Sequence, residues 1–240
     1  MNTPAAILCS LIVGAGIAAG GYLAGQGLVQ SRLGDRTVTV KGLSERTVKA
    51  DLGFWPLRFT AAGDALEGAR QDIERFEAAT IAFLEAQGFE QDNIQVQSIR
   101  VEDRATGYNS GNVGENRYVL TEDILVRSND VDRLAAAARN VGDLVRAGVV
   151  LSTDAYAAGP SFVFTGLNDL KPEMLTEATK RAREAADQFA QESGARVGAI
   201  QNANQGLFSI DPAIEIPNES GDKQIEKKVR VVSTVTYFLE

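Results

Sequence analysis

TVTVKGLSERTVKADLGFWPLRFTA, residues 37–61, sets how the rest of the chain is read. Val38 and Val40 alternate with Thr39 and Lys41, the period-two pattern of a half-buried strand. A second extended run from Thr47 to Ala61 carries Val48, Leu52, Phe54, Trp55, Leu57 and Phe59. Pro56 inside it lacks a ladder donor, which points to an edge position or a bulge. Trp55 and Phe59 share strand parity and Phe54 does not, so the run offers aromatics on both faces. That suits a strand covered on both sides, either by a neighbouring subunit or by crossing between lobes of one chain.

Downstream, strand pairs alternate with helices. Asp64 is placed to cap a helix running to about Gln87, with Leu66, Ala69, Ile73, Phe76, Thr80 and Phe83 on one face and Gly88 as its stop. Ile94–Val101 and Tyr118–Val126 alternate as strands around a polar hairpin loop, Asp103–Asn116. Asn129 or Asp130 caps a second helix with Leu134, Ala138, Val141 and Val145 on one face. Val149–Tyr156 and Ser161–Thr165 read as strands. A third helix follows over about Leu170–Ser193, with Pro172 in its first turn and Leu175, Ala178, Ala182, Ala185 and Phe189 facing inward. Val197–Ile210 is extended, and Lys228–Leu239 closes the chain as a strong strand. The order predicts an α+β fold: mainly antiparallel sheet with three helices packed on one face.

Upstream, residues 4–29 carry no charge, and Ser10 and Gln26 are their only clearly polar side chains. About 20 helical residues cross the hydrocarbon core of a bilayer, so this stretch predicts one N-terminal transmembrane helix. Gly16 with Gly20, and Gly21 with Gly25, form GxxxG pairs suited to close helix packing in lipid. Gly14–Ala19 also fits the G-x-G-x-x-A dinucleotide pattern, with Asp35 about twenty residues on. A soluble helix so rich in glycine and lacking a polar face argues against that reading. A retained anchor is favoured over a cleaved signal, because the apolar run is long and no charge precedes it. By the positive-inside rule Arg32 and Arg36 point to a cytoplasmic domain, but two arginines partly offset by Asp35 are a weak bias that the family resemblance given below outweighs. Residues 1–35 are thus an anchor and short linker, and 36–240 one folded domain.

Composition excludes several functions. The chain has no histidine, and its one cysteine, Cys9, lies in the apolar segment. The folded part therefore lacks the usual neutral-pH base, a thiolate nucleophile and a disulfide. A net charge of −8 repels phosphate backbones, which argues against nucleic-acid binding. No cofactor site, metal site or catalytic residue is read. Asp51, in an extended run near Trp55, is a candidate acid or base if buried, and otherwise a strand-edge or turn-anchoring acid. Asp103, Asn109, Asn112 and Glu115 share a loop but not the spacing of a twelve-residue calcium loop. Ser44 and Lys41 stand three apart, on opposite sides of a strand, so only a tight turn would pair them.

The signature Val38-Thr39-Val40-Lys41-Gly42-Leu43-Ser44-Glu45-Arg46, then Val48-Lys49-Ala50-Asp51 and Trp55-Pro56, resembles the opening of the SIMPL domain. Leu170-Lys171-Pro172-Glu173-Met174 with Glu177-Ala178-Thr179 resembles its last helix, and Lys227-Lys228-Val229-Arg230-Val231-Val232 to Tyr237-Phe238 its final strand. The resemblance implies an envelope domain on the periplasmic side that tends to form homo-oligomers, linked loosely to envelope and oxidative stress. It implies no agreed catalytic or ligand-binding residue. The expectation is a non-enzymatic, single-pass inner-membrane protein. It would be held in the bilayer by residues 4–29, with a self-associating C-terminal domain in the periplasm. Asp51, Phe54, Trp55 and Phe59 are the candidate assembly or pocket surface. The alternatives are a small-ligand or partner-binding module and, more remotely, a carboxylate-based hydrolase.

Overall fold

The computed structural model describes residues 14–26, 36–106, 116–152 and 159–240. Helix α1 covers residues 14–26. Then follow β1 (Thr37–Lys49), β2 (Leu52–Gly63), α2 (Leu66–Ala86), β3 (Ile94–Asp103), β4 (Tyr118–Ser128), α3 (Val131–Arg139) and α4 (Gly142–Arg146). The chain continues through β5 (Ser161–Val163), α5 (Leu167–Ser193), β6 (Val197–Gln205), β7 (Ser209–Pro212) and β8 (Glu226–Leu239). The α+β class and the antiparallel pairing of β2–β5 match expectation. The expected second helix is divided into α3 and α4, with a break at Asn140 and Val141.

Among the described residues, no helix is long and apolar enough to cross a membrane. The rest of the apolar stretch, residues 4–13 and 27–29, lies outside the described residues. The chain is already helical at Gly14, where a nucleotide-binding loop would require a turn.

Contacts divide the chain into two compact units. One comprises Arg46–Leu170 and Ser209–Val229. Its sheet has the order β3-β4-β2-β5. Burial alternates along β2, so Trp55, Leu57, Phe59 and Ala61 face inward and meet Ala69, Ile73, Phe76 and Leu84 of α2. Trp55 meets the Phe83 ring edge-on at 6.5 Å, and Phe59 meets Phe76 at 6.4 Å. Such pairs add about 0.5–1.5 kcal/mol beyond burial of their area. Pro56 pairs with Leu125 of β4, and on its other side falls between the β5 ladder at Leu52–Phe54 and a bridge from Phe59 to Leu151. That local gap tolerates its missing donor.

Asp64 does not cap α2. The helix starts after Ala65 without a side-chain cap, and the Asp64 carboxylate accepts from the Asn116 backbone N–H at 2.8 Å. Asn116 has φ of 76°, and this bond ties that turn to the start of the helix. Asp130 does cap α3, accepting from the Arg133 N–H at 3.0 Å.

The other unit comprises Met1–Glu45, Lys171–Phe208 and Arg230–Glu240. Its strands belong to the sheet with order β1-β8-β6. The inward stripe of α5 is Met174, Ala178, Ala182, Ala186 and Ala190, a strict four-residue repeat. The expected stripe through Leu175, Ala185 and Phe189 is rotated from this, and Phe189 is 62% exposed. Alanines let the helix backbone come close to β1, where a Cβ on Gly42 would lie 1.8 Å from the Ala178 carbonyl oxygen. A phenylalanine in that stripe would hold the helix off.

Candidate functional site

Asp51 sits at the turn between β1 and β2, and it anchors a second turn. Its carboxylate accepts from the Thr165 N–H at 2.8 Å, the Thr165 hydroxyl at 3.0 Å and the Gly166 N–H at 3.1 Å. Its backbone carbonyl accepts from the Asn129 side chain at 2.9 Å. The carboxylate is thereby engaged in fixing residues 164–166 just before α5. This is the turn-anchoring reading.

Trp55 and Phe59 are buried beneath α2 and belong to the core of their unit. They therefore present no assembly or pocket surface, because the helix already covers that face. Phe54, on the opposite face of β2, is half-buried. Ser44 is fully buried and donates to the Glu177 carboxylate at 2.8 Å, while Lys41 is exposed three residues away. The Ser–Lys pairing is thus not formed. Asp103 is held by Arg117 through two bonds of 3.0 and 2.9 Å, and that guanidinium holds its carboxyl below the usual carboxylate range. Asn109, Asn112 and Glu115 lie outside the described residues. Among the described residues no group of three or more His, Cys, Asp or Glu is placed to hold a metal. Gly16, Gly20, Gly21 and Gly25 all lie in α1, and a Cβ at any of them would meet nothing within 4 Å.

Three features were not singled out from the sequence. The first is the exposed row on β3. Val96, Ile99 and Val101 pair with Ile124, Glu122 and Leu120 of β4, so they share the face that α2 covers. A bulge at Gln97 resets the alternation so that 94, 96, 99 and 101 all point to this side. The helix packs mainly on β2 and β4. Val96, Ile99 and Val101 are consequently 44%, 55% and 53% exposed. Within the sheet β3 is also the terminal strand, with one edge unpaired among the described residues.

The second is Glu122, on the inward face of β4 with Leu120, Ile124 and Val126. It is fully buried, and neither carboxylate oxygen has a hydrogen-bond partner. Burial, with the negative charges of Glu77 and Asp123, pushes its pKa up to about 7.

The third is a cavity of about 350 Å³ walled by Phe162, Val163, Phe164, Ile210 and Pro212. Lys227 opens onto it from the inward face of β8 and is only 5% exposed. Its ammonium donates to the Gly221 carbonyl at 2.7 Å, and burial pushes its pKa down. Gly221 lies so close to Pro212 that a Cβ there would meet the ring at 2.9 Å. The Asp222 carboxylate, also at the cavity, accepts from the Ser161 hydroxyl at 2.8 Å. The sequence signal for both buried charges was present: each stands where strand alternation points inward.

Known proteins add one firm result. No curated protein matches the chain. Among solved structures, a hydrolase encoded by lin2189 from Listeria innocua is 12% identical, with 82% of this chain and 92% of that chain covered and a TM-score of 0.18. An uncharacterized conserved protein from Listeria innocua is 15% identical, with 78% and 91% covered and the same TM-score of 0.18. Superpositions that poor carry no argument about fold or activity. The SIMPL family, described as a protein of unknown function (DUF541), matches residues 38–237. With the strand and helix signatures in order across that span, the chain belongs to the SIMPL family.

Proposed function

We propose that this protein is a non-enzymatic, membrane-tethered envelope protein whose folded domain associates with further copies of itself. The observation that carries the reading is β3, a long terminal strand whose apolar side chains Val96, Ile99 and Val101 are left uncovered by α2. An unpaired edge with an exposed apolar row is a template for another strand. Arg100 and Glu102 occupy the opposite face of the same strand. Antiparallel pairing of two copies about Val101 sets each Arg100 against the other's Glu102, a favourable cross-strand pair. The apolar run at residues 4–29 would tether the protein to a bilayer as a single-pass inner-membrane segment, with Gly16, Gly20, Gly21 and Gly25 open for helix packing. The family resemblance supports a periplasmic position for the domain.

Disulfide trapping tests the edge. A Val101→Cys variant that also carries Cys9→Ser should give a cross-linked dimer on mild oxidation in intact membranes. A Phe189→Cys, Cys9→Ser control should not. Equal trapping at both positions, or none at 101, overturns pairing through β3. Alkaline phosphatase fused after Glu240 should be active, and an inactive fusion that is stably expressed would place the domain in the cytoplasm.

A small-ligand module is the second reading, favoured by the cavity beside Lys227.

A further inference from the structure

We infer that the cavity beside Lys227 captures a small apolar aldehyde covalently, with the Lys227 amine as nucleophile. This goes beyond the assembly reading and stands on different residues. Lys227 projects from β8 on the same face as buried Val229, so it is a lysine in a position meant for an apolar side chain. Its ammonium donates to the Gly221 carbonyl, a neutral acceptor, and the charge of nearby Asp222 offsets its burial only in part. A lysine that merely pinned the 3₁₀ turn at Gly221–Lys223 would need no open space beside it. Here a cavity of about 350 Å³ adjoins it, large enough for a small molecule.

The walls select the ligand class. Phe162, Val163, Phe164, Ile210 and Pro212 favour an uncharged, apolar body. Asp211 and Asp222 at the same cavity repel an anionic carbonyl compound such as an oxo acid. An amine brings no electrophile for Lys227 to attack. The ligand that uses both the apolar wall and the amine is a neutral carbonyl compound, whose carbon a desolvated lysine attacks. The unprotonated amine adds to the aldehyde carbon, forming the N–C bond, while the carbonyl oxygen takes a proton to give a carbinolamine. Loss of that hydroxyl as water leaves an imine between Nζ and the former carbonyl carbon. One water is released and no oxidant or reductant is consumed. The exposed Asp222 carboxylate lies at the same cavity and is held ionised by the Ser220 and Ser161 hydroxyls, so it can pass the proton.

The test is site-resolved reductive trapping on the full-length protein. Benzaldehyde and glyoxylate are the two probes, each added with cyanoborohydride, and adducts are mapped by peptide mass spectrometry over all seven lysines. Benzaldehyde should label Lys227 at least about ten times faster than adjacent Lys228, with a rate that saturates in benzaldehyde. Glyoxylate should show no preference for Lys227. A Val163→Phe variant, which fills the cavity, should lose the fast labelling and leave Lys228 unchanged. Labelling of Lys227 no faster than Lys228, or fast labelling that persists in Val163→Phe, overturns the inference. Neither result bears on the oligomeric state, so its failure and that of the assembly reading are distinguishable.

Discussion

Three donors converge on the Asp51 carboxylate, and each comes from the Thr165–Gly166 turn. Removing it leaves two backbone N–H groups without their acceptor. Asp51→Ala should therefore lower stability by about 2 kcal/mol, and Asp51→Asn by less, read as urea midpoints. Glu122 has the opposite effect at neutral pH. Its carboxyl ionises near 4.5 when unfolded and near 7 when folded. Between those values the folded chain keeps a proton that the unfolded chain releases. Stability is thus highest below the lower value, falls as pH rises through the window, and levels off above about 7. The loss has a ceiling of about 3 kcal/mol. Glu122→Gln should be more stable than the parent above neutrality by about 1–3 kcal/mol and near parity below the window. A variant equally shifted at all pH values would show that ionisation is not the cause. For Asp51 the sequence offered anchoring as one alternative, but it placed the residue inside an extended run and did not show the turn it occupies between β1 and β2. Lys227 and Glu122 could not be graded, since alternation shows direction and not whether a neighbour will cover the group.

At the scale of elements, α5 and β1 depend on small residues. Gly42→Ala places a methyl group against the Ala178 carbonyl, and the strand must move. It should cost about 3 kcal/mol or more, whereas Gly68→Ala, in open space on α2, should be neutral or stabilise by about 0.5–1 kcal/mol. Thermal unfolding of both variants separates a packing effect from a propensity effect. The helix itself was legible from its alanines and from Pro172 and Gly194. Its inward face was not, because residues 174–178–182–186–190 and 175–178–182–185–189 both satisfy helical spacing. Only the close approach at Gly42 selects the first. The hairpin of β3 and β4 was legible from alternation, but the bulge at Gln97 was not. It is that bulge which brings Ile99 and Val101 onto the uncovered face.

For the whole molecule, the division into two units follows no linker. It runs through the continuous elements β1, α5 and β8, so composition carried no mark of it. The core of one unit is fully supplied by its own side chains, including Trp55 and Phe59, which sequence parity alone had offered as a surface. Among the exposed apolar side chains, those of β3 lie in a row beside an unpaired edge, and the proposed self-association runs through them. Multi-angle light scattering of the full-length protein in detergent, at tens of micromolar, tests it most directly when wild type is compared with an Ile99→Lys, Val101→Lys double variant. Lysines on an edge strand block pairing without entering the core. The account predicts an oligomer for wild type and a folded monomer for the variant. A monomeric wild type, or an oligomer unchanged by both lysines, would contradict it.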